Sequence, residues 1–265
     1  MKYFENRTIW VTGASSGIGE GLVQHLSKIK CNLIISARRK EELDRVKSEN
    51  QHLAHIEVLP LDLADGPSLE AKVREAEAIF GGVDILFNNG GISQRDKVIN
   101  TSMEVQRQIM EVNYFGTIAL SKYVLPGMLE RGFGHHVAVT SAVGIISTPL
   151  RSGYSASKHA VHGFYDALRA EHHDNGIKVT LILPGYVNTK ISYNALMGDG
   201  SKQNTLDKAQ AAGLTVDQLV RRLLRSVAKQ KEESYIGGLK EVFGIYMKRF
   251  FPGIFSILVR KMPVT

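Results

Sequence analysis

The chain has one cysteine, Cys31, so no internal disulfide can form and the disulfide-stapled secreted scaffolds are excluded. Cys31 stands just before an apolar run and reads as a buried, inert thiol. No run of eighteen uncharged apolar residues occurs, so no membrane-spanning helix is expected. Met1 to Arg7 lack the apolar stretch of a secretion signal, and a cytoplasmic protein is expected. Zinc-ligand spacing is missing as well. His135-His136 and His172-His173 are adjacent pairs without a companion cysteine or acidic cluster, so no metal site is expected. The net charge of +7 could serve nucleic acid, an anionic cofactor or an anionic membrane surface. No arginine-rich arm, zinc-finger spacing or aromatic RNA-binding signature is present, which argues against nucleic acid. There is no internal repeat and no low-complexity tract.

What is present is an alternation of short apolar runs and amphipathic stretches. With 265 residues, 43% hydrophobic and 22% charged, the chain can bury the core of one large α/β domain. Strands are predicted at Thr8–Val11, Asn32–Ser36, Ile56–Leu59, Asp84–Phe87, His136–Thr140, Lys178–Leu183 and Ser234–Ile236. Helices are predicted at Ile18–Ile29, Lys40–Glu49 and Ser68–Phe80, the last stopped by Gly81-Gly82. Two longer ones follow: Met103–Glu130, with a kink or break near Pro126, and Ser152–Asn175, ended by Gly176. Repeated βα units imply a doubly wound, seven-stranded parallel sheet with helices on both faces.

Between the first strand and the first helix lies Thr12-Gly13-Ala14-Ser15-Ser16-Gly17-Ile18-Gly19. Glycines there permit a tight turn and let the backbone approach a pyrophosphate at a helix N-terminus. After the second strand, where a carboxylate would accept the ribose hydroxyls of NAD, the chain has Ala37-Arg38-Arg39. A guanidinium can bind a 2′-phosphate bidentately, so NADP(H) is expected over NAD(H), with Arg38 the better candidate.

Tyr154-Ser-Ala-Ser-Lys158 places a phenol and an ammonium on one helix face, one turn apart. A nearby ammonium favours the phenolate and should pull the tyrosine pKa down, fitting it to exchange a proton with an alcohol or carbonyl oxygen. Ser141 lies thirteen residues upstream. A hydride cofactor beside a proton relay means carbonyl/alcohol redox.

In motif order over roughly residues 7–190, the chain resembles the short-chain dehydrogenase/reductase family. The resemblance implies a catalytic tetrad of Asn113, Ser141, Tyr154 and Lys158. Tyr154 would be the general acid/base, Ser141 would orient the carbonyl oxygen, Lys158 would grip the nicotinamide ribose, and Asn113 would hold a relay water. It implies cofactor contacts from Gly13, Ser15, Ser16, Gly17, Ile18 and Gly19, and from Asp62 and Leu63 at the adenine. Asn89 and Gly90 in Asn88-Asn89-Gly90-Gly91 would follow, then Tyr154 and Lys158, and Pro184, Gly185, Val187 and Thr189 over the nicotinamide. It implies a small carbonyl or alcohol substrate and a homodimer or homotetramer built on the two long helices.

The polar stretch 188–213 reads as a substrate lid. Thr215–Ala228 reads as a helix with a capping box (Thr215, Gln218), an apolar face on the sheet and Arg221, Arg222 and Arg225 in solvent. The tail Val242–Val264 combines Phe243, Tyr246, Phe250, Phe251 and Phe255 with Lys248, Arg249, Arg260 and Lys261. It resembles the ends of membrane-associated family members acting on steroids, retinoids or acyl lipids, as does Gly91-Ile92-Ser93-Gln94-Arg95. The tail could bind a membrane interface, a partner subunit or the active-site rim, and a lipophilic substrate would suit that branch. Two other readings stand beside an enzyme: a cofactor-binding redox sensor, and a peripheral membrane protein acting through its tail.

Overall fold

The computed structural model describes residues 1–260; Lys261 and Val264 of the expected tail lie outside the described residues. Seven parallel strands form one sheet: β1 (Thr8–Thr12), β2 (Asn32–Ser36), β3 (His55–Val58), β4 (Ile85–Asn88), β5 (Gly134–Val139), β6 (Ile177–Pro184) and β7 (Glu233–Ile236). Their order across the sheet is β3-β2-β1-β4-β5-β6-β7. A central parallel strand is buried on both faces, which is why these segments read as continuous apolar runs. β1 shows the alternation: Ile9 and Val11 enter one core, Trp10 the other.

Helices α1 (Gly17–Leu26) and α2 (Lys40–Glu49) pack on one face, together with a later helix, α8 (Val216–Ala228). The opposite face carries α3 (Gly66–Phe80), α4 (Met103–Met110), α5 (Gly116–Glu130) and α6 (Ser152–Glu171). A one-turn helix α7 (Lys208–Ala211) precedes α8, and α9 (Leu239–Phe250) and α10 (Pro252–Val259) close the described chain. The chain leaves β1 toward one face and β4 toward the other. The crevice between their carboxyl ends is where a doubly wound sheet binds its ligand.

Several expectations hold in detail. Gly81 ends α3 in the left-handed region (φ +80°), and Thr215 and Gln218 form the capping box of α8. Arg221, Arg222 and Arg225 face solvent. Cys31 is buried, and desolvation pushes its thiol pKa up to about 12, so it is inert.

Three differ. The stretch 103–130 breaks at Glu111–Phe115, a π-helical turn, and not at Pro126, which lies inside α5. Pro126 deprives the Lys122 carbonyl of a donor, but both residues are exposed on one face and water serves instead. Helix α6 ends at Glu171; a 3₁₀ turn, His173–Asn175, follows before Gly176 turns the chain at φ +76°. The expected Ile18–Ile29 helix is shorter, Gly17–Leu26.

Candidate active site

The glycine loop forms a cradle at the N-terminus of α1. Gly13 and Gly17 take positive φ (+65° and +57°), where a side chain would be strained. A Cβ on Gly13 would lie 2.8 Å from Gly90 Cα, and one on Gly19 would lie 2.7 Å from Asn89 Nδ2. Ser16 is the N-cap of α1 but its side chain makes no capping bond, leaving the first-turn N–H groups for a ligand. Ser15 is half-buried, Ser16 exposed, and Ile18 packs partly on the core. Such a side-chain-free pocket at a helix N-terminus fits a dinucleotide pyrophosphate.

Thr12 ties the loop to β4. Its hydroxyl donates to Phe87 O at 3.2 Å and accepts from the N–H groups of Asn89 and Gly90, each at 3.1 Å. The Asn89 amide donates to Thr12 O and Gly13 O, so its side chain shapes the cradle. Asn88 turns inward and donates to Ser121 Oγ at 2.9 Å and Tyr165 Oη at 2.8 Å.

Around the cradle stand the remaining candidates. Leu63 is buried beneath Gly90, whose Cβ would lie 2.7 Å from Leu63 Cδ1. Asp62 is exposed and accepts from the Ala64 N–H at 3.0 Å. Arg38 and Arg39 are exposed past the end of β2, with Arg39 at the N-cap of α2. Pro184 ends β6, and Gly185 donates its N–H to Ile236 O at 3.0 Å. Val187 is buried, and Thr189 reaches back to the cradle, its Cγ2 lying 3.3 Å from where a Gly17 Cβ would be.

At the carboxyl ends of β4–β6 the tetrad candidates converge. Asn113 sits in the π-helical turn, a distortion that aims its side chain inward. Its amide accepts from Ile92 N–H at 2.8 Å and donates to Ile92 O at 2.9 Å and Ser157 Oγ at 3.0 Å. Lys158 is buried and donates from Nζ to Val139 O at 3.0 Å. Gly91 approaches both closely: a Cβ there would be 3.0 Å from Asn113 Oδ1 and 3.6 Å from Lys158 Nζ. Ser141 is the N-cap of a 3₁₀ turn and interacts with the Tyr154 hydroxyl.

The electrostatics depart from the expectation that Lys158 lowers the Tyr154 pKa. Burial raises the Tyr154 pKa above its ordinary value; Arg95, the Ser141 hydrogen bond and Arg151 oppose that rise without overcoming it. Lys158 Nζ stands 5.8 Å from the Tyr154 ring centroid, and desolvation brings its own pKa down to about 8. The residues the motif reading missed are thus Arg95 and Arg151, together with the carboxylate they share, Asp207. Arg95 closes a motif noted for family resemblance, but nothing local in the sequence links 95, 151 and 207.

The segment 188–213 is anchored over this crevice. Bridges join Gln94 to Leu196 and Val187 to Leu214, and Ser192, Ala195, Asp207 and Gln210 are buried. Gln210 donates to Val187 O. Among the described residues no three His, Cys, Asp or Glu side chains converge as a metal site. His135 instead bonds Tyr3 Oη and Thr180 Oγ1.

Residues 7–197 match the family model described as short chain dehydrogenase. The chain belongs to that family. It is 45% identical to the Homo sapiens dehydrogenase/reductase SDR family member 7 over 250 residues, covering 92% of this chain and 74% of that protein. It is 39% identical to the Anopheles gambiae dehydrogenase/reductase SDR family protein 7-like, over 98% of this chain and 84% of the relative. Among solved structures, a short-chain dehydrogenase from Streptomyces avermitilis superposes with a TM-score of 0.83 at 26% identity, covering 97% of this chain and 98% of that one. As a short-chain dehydrogenase the protein is an oxidoreductase of the kind that uses NAD(H) or NADP(H) on small molecules.

Proposed function

We propose that this short-chain dehydrogenase interconverts a carbonyl and a secondary alcohol with NADP(H), Tyr154 acting as general acid/base. The observation that carries this reading is the convergence of Tyr154, Ser141, Lys158 and Asn113 beside the glycine cradle, at the carboxyl ends of β4–β6. The dinucleotide, when bound, supplies or accepts the hydride. Ser141 holds the substrate oxygen by hydrogen bond, and Tyr154 gives it a proton in reduction or takes one in oxidation. Lys158 would hold the nicotinamide ribose. Asn113, close to Lys158 across Gly91, would hold a relay water. Gly13, Ser15, Ser16, Gly17, Ile18, Gly19, Asp62, Leu63, Asn89, Gly90, Pro184, Gly185, Val187 and Thr189 would line the dinucleotide path.

The preference for NADP(H) rests on Arg38 and Arg39, exposed past β2 where no carboxylate stands. The test is oxidation of NADPH and of NADH across a panel of ketones, aldehydes and lipid-like carbonyls. Tyr154→Phe should lose roughly 10²–10⁴-fold in turnover while binding NADPH unchanged. Turnover surviving in that variant would overturn the mechanism. NADPH binding without turnover on any substrate would favour the redox-sensor reading.

No helix among the described residues is long and apolar enough to cross a membrane. Helices α9 and α10 nevertheless expose Phe243, Tyr246, Phe250, Phe251, Ile254 and Ile257 beside the basic Arg249. That composition suits a peripheral contact with an anionic membrane interface, and a lipophilic substrate entering there. Deleting the tail would be a poor test, because Ile245 and Phe255 pack on Ala142 and Ile146 next to Ser141. Serine at Phe250, Phe251 and Ile257 leaves that cluster intact and should abolish sedimentation with anionic vesicles. A homodimer across α5 and α6 is a further part of this reading, with exposed Phe115 at its centre.

A further inference from the structure

Helix α6 carries Tyr154, Lys158 and His162 at four-residue spacing, so the three side chains form one stripe along it. The stripe meets three consecutive residues at the end of β5 and just past it. Lys158 Nζ donates to Val139 O at 3.0 Å, His162 Nε2 lies 3.0 Å from Thr140 Oγ1, and Tyr154 interacts with Ser141. Thr140 and His162 are 4% and 8% exposed.

The direction of the middle contact follows from its protons. The Thr140 hydroxyl has one proton and donates it to Ile182 O at 3.1 Å, a carbonyl that the Thr140 N–H also reaches at 2.8 Å. Toward the imidazole the hydroxyl is therefore an acceptor, and His162 is the tautomer protonated at Nε2. The same nitrogen lies under the turn that Ser141 caps: a Cβ on Gly144 would be 2.9 Å from it and 3.2 Å from Lys158 O. Glycine at 144 lets that turn settle directly on the imidazole.

Burying an imidazole is costly, and burial lowers the His162 pKa. A valine and a leucine would fill the same space, and replacing both partners of a buried hydrogen bond by apolar groups is nearly neutral for stability. Stability alone therefore does not account for the pair. What the bond adds is direction, because it fixes the residue before Ser141 against the helix that carries Tyr154. The other ties to this turn lie beyond Ser141 in the chain: Ile245 and Phe255 pack on Ala142 and Ile146, and Lys248 donates to Ile145 O at 2.6 Å. Lys158 has the nicotinamide ribose as a second partner under the proposed function, whereas His162 lies one turn further along α6.

We propose that His162 is a positioning residue: through its Nε2–H bond to Thr140 it sets Ser141 against Tyr154, and with it the hold on the substrate oxygen. The inference rests on Ser141 and Tyr154 being the groups that meet that oxygen.

The test is steady-state reduction of benzil, an aromatic diketone whose adjacent carbonyls make it reactive toward hydride, by NADPH. Fluorescence titration of NADPH runs alongside. His162→Leu removes the donor and should lower kcat by roughly 10- to 100-fold, the effect of a reacting group displaced by up to about 1 Å. NADPH affinity should stay in place. His162→Gln sets an amide N–H where Nε2 stands and should restore most of the rate. Ser141→Ala supplies the deciding background. If His162 acts through Ser141, His162→Leu costs nothing further once the Ser141 hydroxyl is gone, and the double variant turns over like Ser141→Ala. An equal loss in both backgrounds, or no loss in either, overturns the inference. Thr140→Val breaks the same bond from the other side and must reproduce the loss, which keeps the test alive if His162→Leu does not fold. Ser141→Ala turning over at the full rate, or no reduction of benzil by the unsubstituted protein, overturns the underlying reading as well, so the two failures are distinguishable.

Discussion

Tyr154 and Tyr165 stand on the same helix, eleven residues and about three turns apart; Tyr165 is fully buried and Tyr154 half-buried. Their surroundings are opposite. Tyr165 is held by uncharged groups, its hydroxyl 2.6 Å from Ser121 Oγ and 2.8 Å from Asn88 Nδ2. Tyr154 lies beside two guanidiniums and an ammonium. Burial drives both phenols up, but only at Tyr154 do cations pull back. A network of neutral hydrogen bonds holds Tyr165, whereas an ionic cluster lies beside Tyr154. Removing one partner from the neutral network strands a hydrogen bond; removing the shared carboxylate takes a counter-ion from two buried cations.

The largest break should therefore come at Asp207. Asp207→Asn takes from buried Arg95 and Arg151 the carboxylate they share and should cost about 3 kcal/mol of unfolding free energy. Arg95→Met keeps the Arg151–Asp207 bond and should cost clearly less. Denaturant unfolding of the two variants measures the asymmetry; equal losses would mean that packing, not charge, governs the cluster.

The neutral side breaks through shape. Gly19→Ala puts a Cβ 2.7 Å from both the Gly13 carbonyl carbon and Asn89 Nδ2, which forces the cradle open. Dinucleotide affinity, followed by fluorescence titration, should fall by about 100-fold, the ~3 kcal/mol equivalent of such a displacement. Thermal stability should change far less, since the sheet does not depend on the loop.

This division also explains what the sequence discloses. Buried parallel strands are continuous apolar runs, and Gly13 to Gly19, Asn88 to Gly91 and Tyr154 to Lys158 are short local patterns. The sheet is therefore readable from the chain alone, and so are the local patterns proposed as cradle and tetrad. The π-helical turn at Asn113 is not, because the helical periodicity of 103–130 continues through it, and its side-chain partner, Ile92, lies 21 residues away. The Arg95–Asp207 bond joins residues 112 apart, and Arg151 reads as one more basic residue in a chain of 33 lysines and arginines. Pairing across such distances is a property of topology, and no spacing rule contains it.

A smaller effect lies beneath the site, on β5. Burial keeps His135 and His136 neutral, with pKa values lowered to about 3 and about 4 from 6.5. Below 6.5 the unfolded chain binds more protons than the folded one. Stability is therefore full above that pH and is lost as the pH falls toward those lowered values. Near pH 5 each imidazole should cost on the order of 2 kcal/mol. Neither ring nitrogen of His136 has a hydrogen-bond partner among the described residues, so His136→Phe should flatten the acid slope of the melting temperature.

The smallest effect sharpens the comparison most. Tyr165→Phe removes one hydroxyl, yet Asn88 Nδ2 and Ser121 Oγ remain bonded to each other at 2.9 Å. About 1 kcal/mol of stability should be lost. Turnover and its pH profile should stay as they were, because Tyr165 neither reaches the crevice nor carries the proton. Tyr154→Phe should do the reverse, abolishing turnover while leaving the unfolding midpoint nearly in place. A shift of the pH profile in Tyr165→Phe would mean that the neutral network and the ionic cluster are coupled through α6. The separation of shape from charge would then fail.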